Sequence, residues 1–296
     1  MDLGAKPNVA VVVNGSGGRA AREGAALEQQ LSAAFAAQGY DDPPLVIEGK
    51  QLAATITARR AADTIAIGGG DGTQGSAAAL LMASGQVQAV LPLGTLNHLS
   101  VDLGIPADLG EAARIAVHGR IKAIDLAQVN DRVFVNNASV GLYTKLVRAR
   151  DARALPKWLA TFPAAWTVLR GFKVRRLVIE IDGVQQTVKT PLLFIGNNPY
   201  NITGARRGKR DALDTGQLAL YAVAQQSPLA LIGFALRALT GRADPARDFT
   251  HLSECTAFTI LGSGPIDVAH DGEVSAMTLP FRFAILPRAL KVKVPQ

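Results

Sequence analysis

Apolar positions change rhythm near residue 120. Before it, short β-branched runs alternate with longer Ala- and Leu-rich stretches; after it, strand-length runs predominate. Residues 9–13 form a continuous β-branched run, the pattern of a strand buried on both faces. Residues 20–38 predict a helix, 45–47 a short strand after Pro43-Pro44, and 50–60 a helix ending in Arg59-Arg60. A strand over 64–67 leads to a helix over 73–84, with Gly85 as its C-terminal stop. A strand over 87–91 and helices over 97–103 and 108–118 complete this half. The order predicts a parallel, Rossmann-like sheet with helices on both faces and a ligand site at the C-terminal strand ends. Downstream, strands are expected at 121–130, 132–138, 173–182, 184–190, 191–196, 217–224, 255–261 and 278–286, with Asp182-Gly183 as a hairpin turn. Helical patterns interrupt near 154–171 and 228–240. The expected class is α/β plus β. A nucleotide-binding domain over 1–120 precedes a mainly antiparallel β-sandwich domain over 121–296.

The glycine turns carry the chemistry. In Ile65-Ala66-Ile67-Gly68-Gly69-Gly70-Asp71-Gly72-Thr73 an apolar run ends in glycines and opens a helix. Such a turn presents backbone N–H groups and a helix N-terminus to phosphate. Asp71 would repel phosphate unless it holds a metal ion or a proton-bearing substrate group, so the loop suggests phosphoryl chemistry. Asn14-Gly15-Ser16-Gly17-Gly18-Arg19 follows the first strand, and Leu91-Pro92-Leu93-Gly94-Thr95-Leu96-Asn97-His98 the fourth. Each alone also reads as an ordinary βα turn with a cap; together they outline a nucleotide crevice. Gly15-x-Gly17-x-x-Ala20 with Glu48 also fits a dinucleotide fingerprint, which keeps an NAD(P)-dependent oxidoreductase as an alternative.

Composition narrows the setting. The 296 residues are 48% hydrophobic and 19% charged, enough to bury a core. A net charge of +7 suits nucleotide phosphate, anionic lipid or nucleic acid and does not choose among them. Aromatics at 5% give little support for a base-stacking surface, so no nucleic-acid partner is expected. Cys255 stands alone, which excludes an intramolecular disulfide and points to a reducing compartment. The first residues lack a signal-peptide core, and no uncharged apolar run reaches the ~18 residues that span a bilayer. The expectation is a cytoplasmic protein, peripheral at the inner membrane face; a homodimer is left open. His98, His118, His251 and His270 show no metal-ligand spacing.

Gly69-Gly70-Asp71-Gly72-Thr73, Pro92-x-Gly94-Thr95-x-Asn97 and Leu103-Gly104-Ile105-Pro106 together resemble the diacylglycerol-kinase-like lipid kinase family. The resemblance extends over nearly the whole chain, through Ile124-Asp125-Leu126, the run from Phe134 to Gly141, and Asp271-Gly272-Glu273. It implies ATP and Mg²⁺, a membrane lipid such as diacylglycerol as acceptor, and a soluble bacterial type of kinase. It implies that Asn14, Arg19, Gly69, Gly70, Gly72, Thr73, Gly94, Thr95 and Asn97 serve the nucleotide. Asp71 and Glu273 would be catalytic, either of them the base, and Asp71 and Asp125 would serve the metal. Asp214 resembles the acid of a structural Mg²⁺ site in some members, although Gln217 follows where that site is richer in acid. Gly15 and Gly17 replace the family's proline and serine, Arg19 its lysine, and His98 an acid common in bacterial members.

A sphingoid-base or phosphatidylglycerol kinase, an NAD kinase and a non-catalytic nucleotide sensor are the further alternatives. NAD kinases share the Gly-Gly-Asp-Gly-Thr loop but use an Asn-Glu dipeptide that is not seen here. Trp158, Phe162 and Trp166 share one helix face, rimmed by Arg148, Arg150, Arg153, Lys157, Arg170 and Lys173. That face is either core or an apolar lipid entry. Arg206-Arg207-Gly208-Lys209-Arg210 is either a solvated loop or a headgroup contact.

Overall fold

The computed structural model describes residues 8–141, 174–201, 208–224, 230 and 248–296. The chain forms two units, Met1–Leu126 with Pro287–Gln296, and Ala127–Leu286.

The first unit runs β1 (Val9–Asn14), α1 (Gly18–Glu23), α2 (Ala25–Ala36), β2 (Leu45–Ile47), a 3-10 turn (Gly49–Gln51), α3 (Leu52–Ala58), β3 (Thr64–Gly69), α4 (Asp71–Ser84), β4 (Val87–Pro92), α5 (His98–Asp102) and α6 (Leu109–His118). Strands β2-β1-β3-β4 lie parallel in that order. All six residues of β3 are buried, as expected of a central parallel strand. The helix expected over 20–38 is broken at Gly24, whose φ of 51° no continuing helix adopts. The helix expected from 73 begins at Asp71, because extended Gly70 is its N-cap. Gly85 ends α4 in the left-handed region, as read, and donates to the Leu81 and Met82 carbonyls. Two buried glutamines fasten α4 to the sheet. Gln74 Nε2 donates to the Ile67 carbonyl at 2.8 Å, and Gln88 Nε2 to Gln74 Oε1 at 2.7 Å.

Two strands pass between the units, β5 (Arg120–Val129) and β16 (Phe281–Val294). The end of β16 runs parallel to β4, pairing Val292 with Gln88. The chain's last residues therefore belong to the first unit, whereas the sequence assigned all of 121–296 to the second. The reason is apolar: Leu290, Val292 and Val294 are buried.

The second unit contains β6 (Arg132–Phe134), β7 (Asn137–Gly141), β8 (Arg175–Ile181), β9 (Val184–Thr190), β10 (Leu192–Asn197), β11 (Leu218–Val223), β12 (Phe249–Cys255), β13 (Ala257–Leu261), β14 (Pro265–His270) and β15 (Glu273–Thr278). One antiparallel sheet has the order β12-β11-β10-β7-β14-β15. Opposite it, β13 pairs with both β8 and the start of β16, and β8 with β9. Residues of both sheets share one core, including Phe134, Val140, Ile195, Leu220, Phe258 and Phe283. Phe258 and Phe283 stack at 4.6 Å. Asp182-Gly183 joins β8 to β9 with both φ positive, the turn expected of that dipeptide.

Strands β12, β14 and β15 were not anticipated, and the run read as 132–138 is divided at Val135-Asn136. A strand expected over 278–286 is instead the end of β15 and the start of the longer β16. The helical patterns at 154–171 and 228–240 fall almost wholly outside the described residues, with the Trp158, Phe162 and Trp166 face and its basic rim entirely so.

Candidate active site

In the first unit, the turns after β1, β3 and β4 meet at the C-terminal edge of the parallel sheet. Their approach is closer than any side chain would allow. A Cβ on Gly18 (φ 63°) would fall 2.3 Å from the Leu93 carbonyl oxygen, and one on Gly94 2.5 Å from Gly70 Cα. Backbone contact replaces side chains: Arg19 N–H donates to the Leu93 carbonyl at 2.8 Å. Asn14 Nδ2 donates to Thr73 Oγ1 at 3.0 Å, while Asn14 Oδ1 accepts from Ser16 N–H at 3.0 Å. Asn97, itself left-handed at φ 52°, holds the third turn from within. Its Oδ1 accepts from Gly94 N–H at 2.8 Å and its Nδ2 donates to the Gly94 carbonyl at 2.9 Å. Asp71 opens α4, half-buried, and its Oδ1 accepts from Leu99 N–H at 3.2 Å. The acid thus ties α4 to α5.

The structure therefore brings together Asn14, Gly70, Asp71, Thr73, Gly94 and Asn97. Gly69 and Gly72 lie in the same turn, and a Cβ on Gly69 would meet Thr73 Cβ at 2.6 Å. Thr95 is exposed on the third turn, as is His98 at the start of α5. Arg19 points elsewhere: its Nε donates to Glu23 at 2.8 Å and Nη2 to Gln30 Oε1 at 2.8 Å, along α1 and α2. Glu48, the ribose-binding acid of the oxidoreductase alternative, pairs with Lys50 at 2.7 Å.

Asp125 is buried in β5, and its Oδ1 accepts from Arg288 N–H at 2.8 Å. Asp214 is exposed on the loop before β11. Among the described residues, no group of three or more His, Cys, Asp or Glu side chains could hold a metal ion together.

In the second unit, Asp271-Gly272 is the two-residue turn between β14 and β15, with φ of 45° and 86°. It places Glu273 at the start of β15, opposite His270. Glu273 is exposed, yet desolvation by the surrounding protein raises its carboxyl above the usual range. Asp271 turns inward instead. Its Oδ2 accepts from Val135 N–H at 2.7 Å, and its Oδ1 from Asn136 N–H at 2.8 Å and Asn137 N–H at 3.3 Å. Burial pushes this carboxyl up to about 6, outweighing the opposing pull of those N–H groups and of Arg210.

Sequence reading missed Arg210. The basic run expected at the surface ends in a side chain only 2% exposed. Its Nη1 donates to the Val135 and Asn197 carbonyls at 2.8 and 3.0 Å, and its Nη2 to Asn136 Oδ1 at 2.8 Å. Lys209 is exposed, and Arg206 and Arg207 lie outside the described residues. Nothing local distinguishes a buried arginine from its solvated neighbours.

Comparison with known proteins follows the same two-part division. The diacylglycerol kinase catalytic domain matches residues 8–129, and the YegS C-terminal NAD kinase beta sandwich-like domain matches residues 137–294. A protein of Enterobacter sp. (strain 638) named "Probable lipid kinase YegS-like" is 29% identical over 240 residues, which is 79% of this chain and 78% of that protein. A protein of the same name from Klebsiella pneumoniae (strain 342) is 42% identical over 87 residues, 28% of this chain. That match and the next two span only about 30% of each relative's length. A Bacillus anthracis str. Sterne structure described as a diacylglycerol kinase superposes with a TM-score of 0.67 at 19% identity, over 97% of this chain and 96% of that one. A second structure from that organism reaches 0.72 at 20% identity, over 97% of both chains. These likenesses show the fold: an α/β unit of mixed sheet and a separate antiparallel β-sandwich. Glycine-turn cradle, sandwich and end-to-end matches agree, and the chain belongs to the family that joins a diacylglycerol kinase catalytic domain to a YegS-type C-terminal β-sandwich.

Proposed function

We propose that the protein is an ATP-dependent lipid kinase that transfers the γ-phosphoryl group of ATP to the hydroxyl of a membrane lipid such as diacylglycerol. The observation that carries this reading is the backbone-to-backbone cradle of three turns at the sheet edge, with Asp71 at its rim. The first-turn N–H groups of α4 lack intrahelical partners by construction and carry the positive end of the helix dipole, which suits phosphate. Asn14 and Thr73 fix one wall of the cradle and Asn97 the other.

A magnesium ion takes one or two carboxylates with phosphates and waters, so the half-buried carboxylate of Asp71 fits it without a three-acid cage. Asp71 would hold that ion, with Asp125 supporting through water; bound there, it would neutralise phosphate charge. Phosphoryl transfer then depends on alignment and charge more than on covalent chemistry. Glu273 is the proton acceptor for the attacking hydroxyl. It is exposed at the start of β15, beside the hairpin turn, and its raised carboxyl makes it a stronger proton acceptor than an ordinary carboxylate. No helix among the described residues is long and apolar enough to cross a membrane. The lipid would be met by peripheral contact, to which the positive net charge contributes.

NAD is the second acceptor to consider, because the matching C-terminal family is described as NAD kinase beta sandwich-like. One experiment separates the two: transfer of labelled γ-phosphate from ATP to diacylglycerol, sphingoid base, monoacylglycerol and phosphatidylglycerol in mixed micelles, with NAD in parallel. Label in a lipid supports the kinase and names its acceptor. Label in NAD moves the reaction to the dinucleotide, and no label with ATP bound favours a nucleotide sensor.

A further inference from the structure

The segment Val135–Asn137 is gripped by two buried charges of opposite sign. From one side the Asp271 carboxylate takes the N–H groups of Val135, Asn136 and Asn137. The Arg210 guanidinium takes the Val135 carbonyl and the Asn136 side chain. Asn197 adds a third hold: Nδ2 donates to the Val135 carbonyl at 2.7 Å, and its own N–H to the Asn136 carbonyl at 3.0 Å. Tyr200 covers the cation, with the guanidinium 5.6 Å from its ring centre, and its hydroxyl donates to the Asn136 carbonyl at 3.2 Å. Burying two charges for stability alone is a poor return, since apolar replacements of buried ion pairs are often as stable. What the arrangement does provide is orientation. Asp271 is the first residue of the two-residue turn, and its N–H is bonded to the Asn137 carbonyl at 3.0 Å. Both its backbone and its side chain are therefore tied to 135–137. Glu273 follows two residues later, where a twist of the turn would displace its carboxyl.

We propose that Arg210, acting through Asn136 and Asp271, is a positioning residue that fixes the β14–β15 turn and thereby aims Glu273 for proton acceptance. This rests on the reading of Glu273 as that acceptor. Arg210 itself touches neither substrate nor reacting atoms in this scheme.

The test is a double-mutant cycle on phosphoryl transfer from ATP to diacylglycerol in mixed micelles. Arg210→Met is made alone and in Glu273→Gln, with kcat, KM for ATP and the melting temperature measured for each. The expected result is a fall in kcat of about 100-fold, the scale of an ångström's misplacement. KM for ATP should stay within about twofold. In Glu273→Gln the same substitution should cost under about twofold, because the group it aims is already disabled. A merely structural role would lower the active fraction equally in both backgrounds. An undiminished loss in Glu273→Gln, or an unchanged kcat in Arg210→Met, overturns the positioning role alone. Full activity of Glu273→Gln, or no transfer by the wild type, overturns the acceptor reading and the positioning role with it. Should Arg210→Met fail to fold, Asn136→Ser, which replaces the side-chain amide that accepts from Arg210 and changes no charge, goes through the same cycle. It should give a smaller loss with the same dependence on Glu273; a loss independent of Glu273 overturns the role.

Discussion

Replacing Gly94 with alanine is the sharpest test of the cradle. The new Cβ would fall 2.5 Å from Gly70 Cα and 2.7 Å from Asn97 Oδ1. Ordinary contact begins near 3.4 Å, so the second and third turns must part by about 0.9 Å. Neither neighbour can yield cheaply. Gly70 Cα is backbone at the N-cap of α4, and Asn97 Oδ1 is already bonded to Gly94 N–H. Overpacking of this kind costs roughly 1–3 kcal/mol of stability. The larger effect is on nucleotide binding. A phosphate hydrogen bond spans about 2.7–3.2 Å, so a shift of that size breaks at least one such bond. A bond to a charged group contributes about 1.5–3 kcal/mol, which makes ATP binding roughly 10- to 100-fold weaker. Calorimetric titration with ATP, beside a thermal melt, reads both effects. Gly85→Ala is the control. It sits at the far end of α4 with φ 75° and no atom within 4 Å of its Cβ. It should cost about 1–2 kcal/mol in stability from backbone strain and leave ATP affinity unchanged. If Gly94→Ala binds ATP as tightly as the wild type, the turns do not form the nucleotide cradle.

Glu273→Gln should lower kcat about 10²- to 10⁴-fold with ATP affinity kept; steady-state kinetics and calorimetry check this, and full activity would remove Glu273 as the base. Asp71→Ala should abolish turnover, through loss of the carboxylate proposed for the metal and of the Leu99 N–H tie, as measured by label transfer at saturating Mg²⁺. Asp271 predicts a pH dependence of stability. Its carboxyl rises from 3.8 to about 6 on folding, so the folded state holds this proton more tightly than the unfolded chain. The stabilisation is fully present below about pH 4 and is lost as pH rises through about 6, a change of about 3 kcal/mol. Urea unfolding of wild type and Asp271→Asn at pH 4.5 and 7.5 should show the difference between them changing in that direction; a constant difference would refute it.

Local pattern carried much of the fold. The strand at 45–47 matched to the residue, and those at 9–13, 64–67 and 87–91 to within two. Continuous β-branched runs and glycine stops are local consequences of burial and of φ, and need no partner to be read. Glycine turns at strand ends, likewise, marked the three turns that meet at the sheet edge. Misreadings arose where a distant partner decides. Strands β12, β14 and β15 carry mixed apolar and polar residues, and only pairing in the sheet defines them. The end of β16 joins the first unit because β4 offers it an edge, which the sequence near 290 does not record. Arg19 bonds Glu23 and Gln30 in the folded chain, partners that its glycine turn does not announce.

The sequence by itself determined the two-part class, the parallel sheet and the glycine turns at its edge, because these follow from periodicity and from residues adjacent in the chain. Tertiary structure alone decided which polar groups meet. Asn14 reaches Thr73 across 59 positions, and Asp271 reaches Val135 across 136. Whether a charge such as Arg210 ends in water or in a buried network depends on what the fold brings to it, since the residue type is the same in both places. The physical reason is that hydrogen bonds and desolvation act over a few ångströms in space, while sequence records neighbours only along the chain.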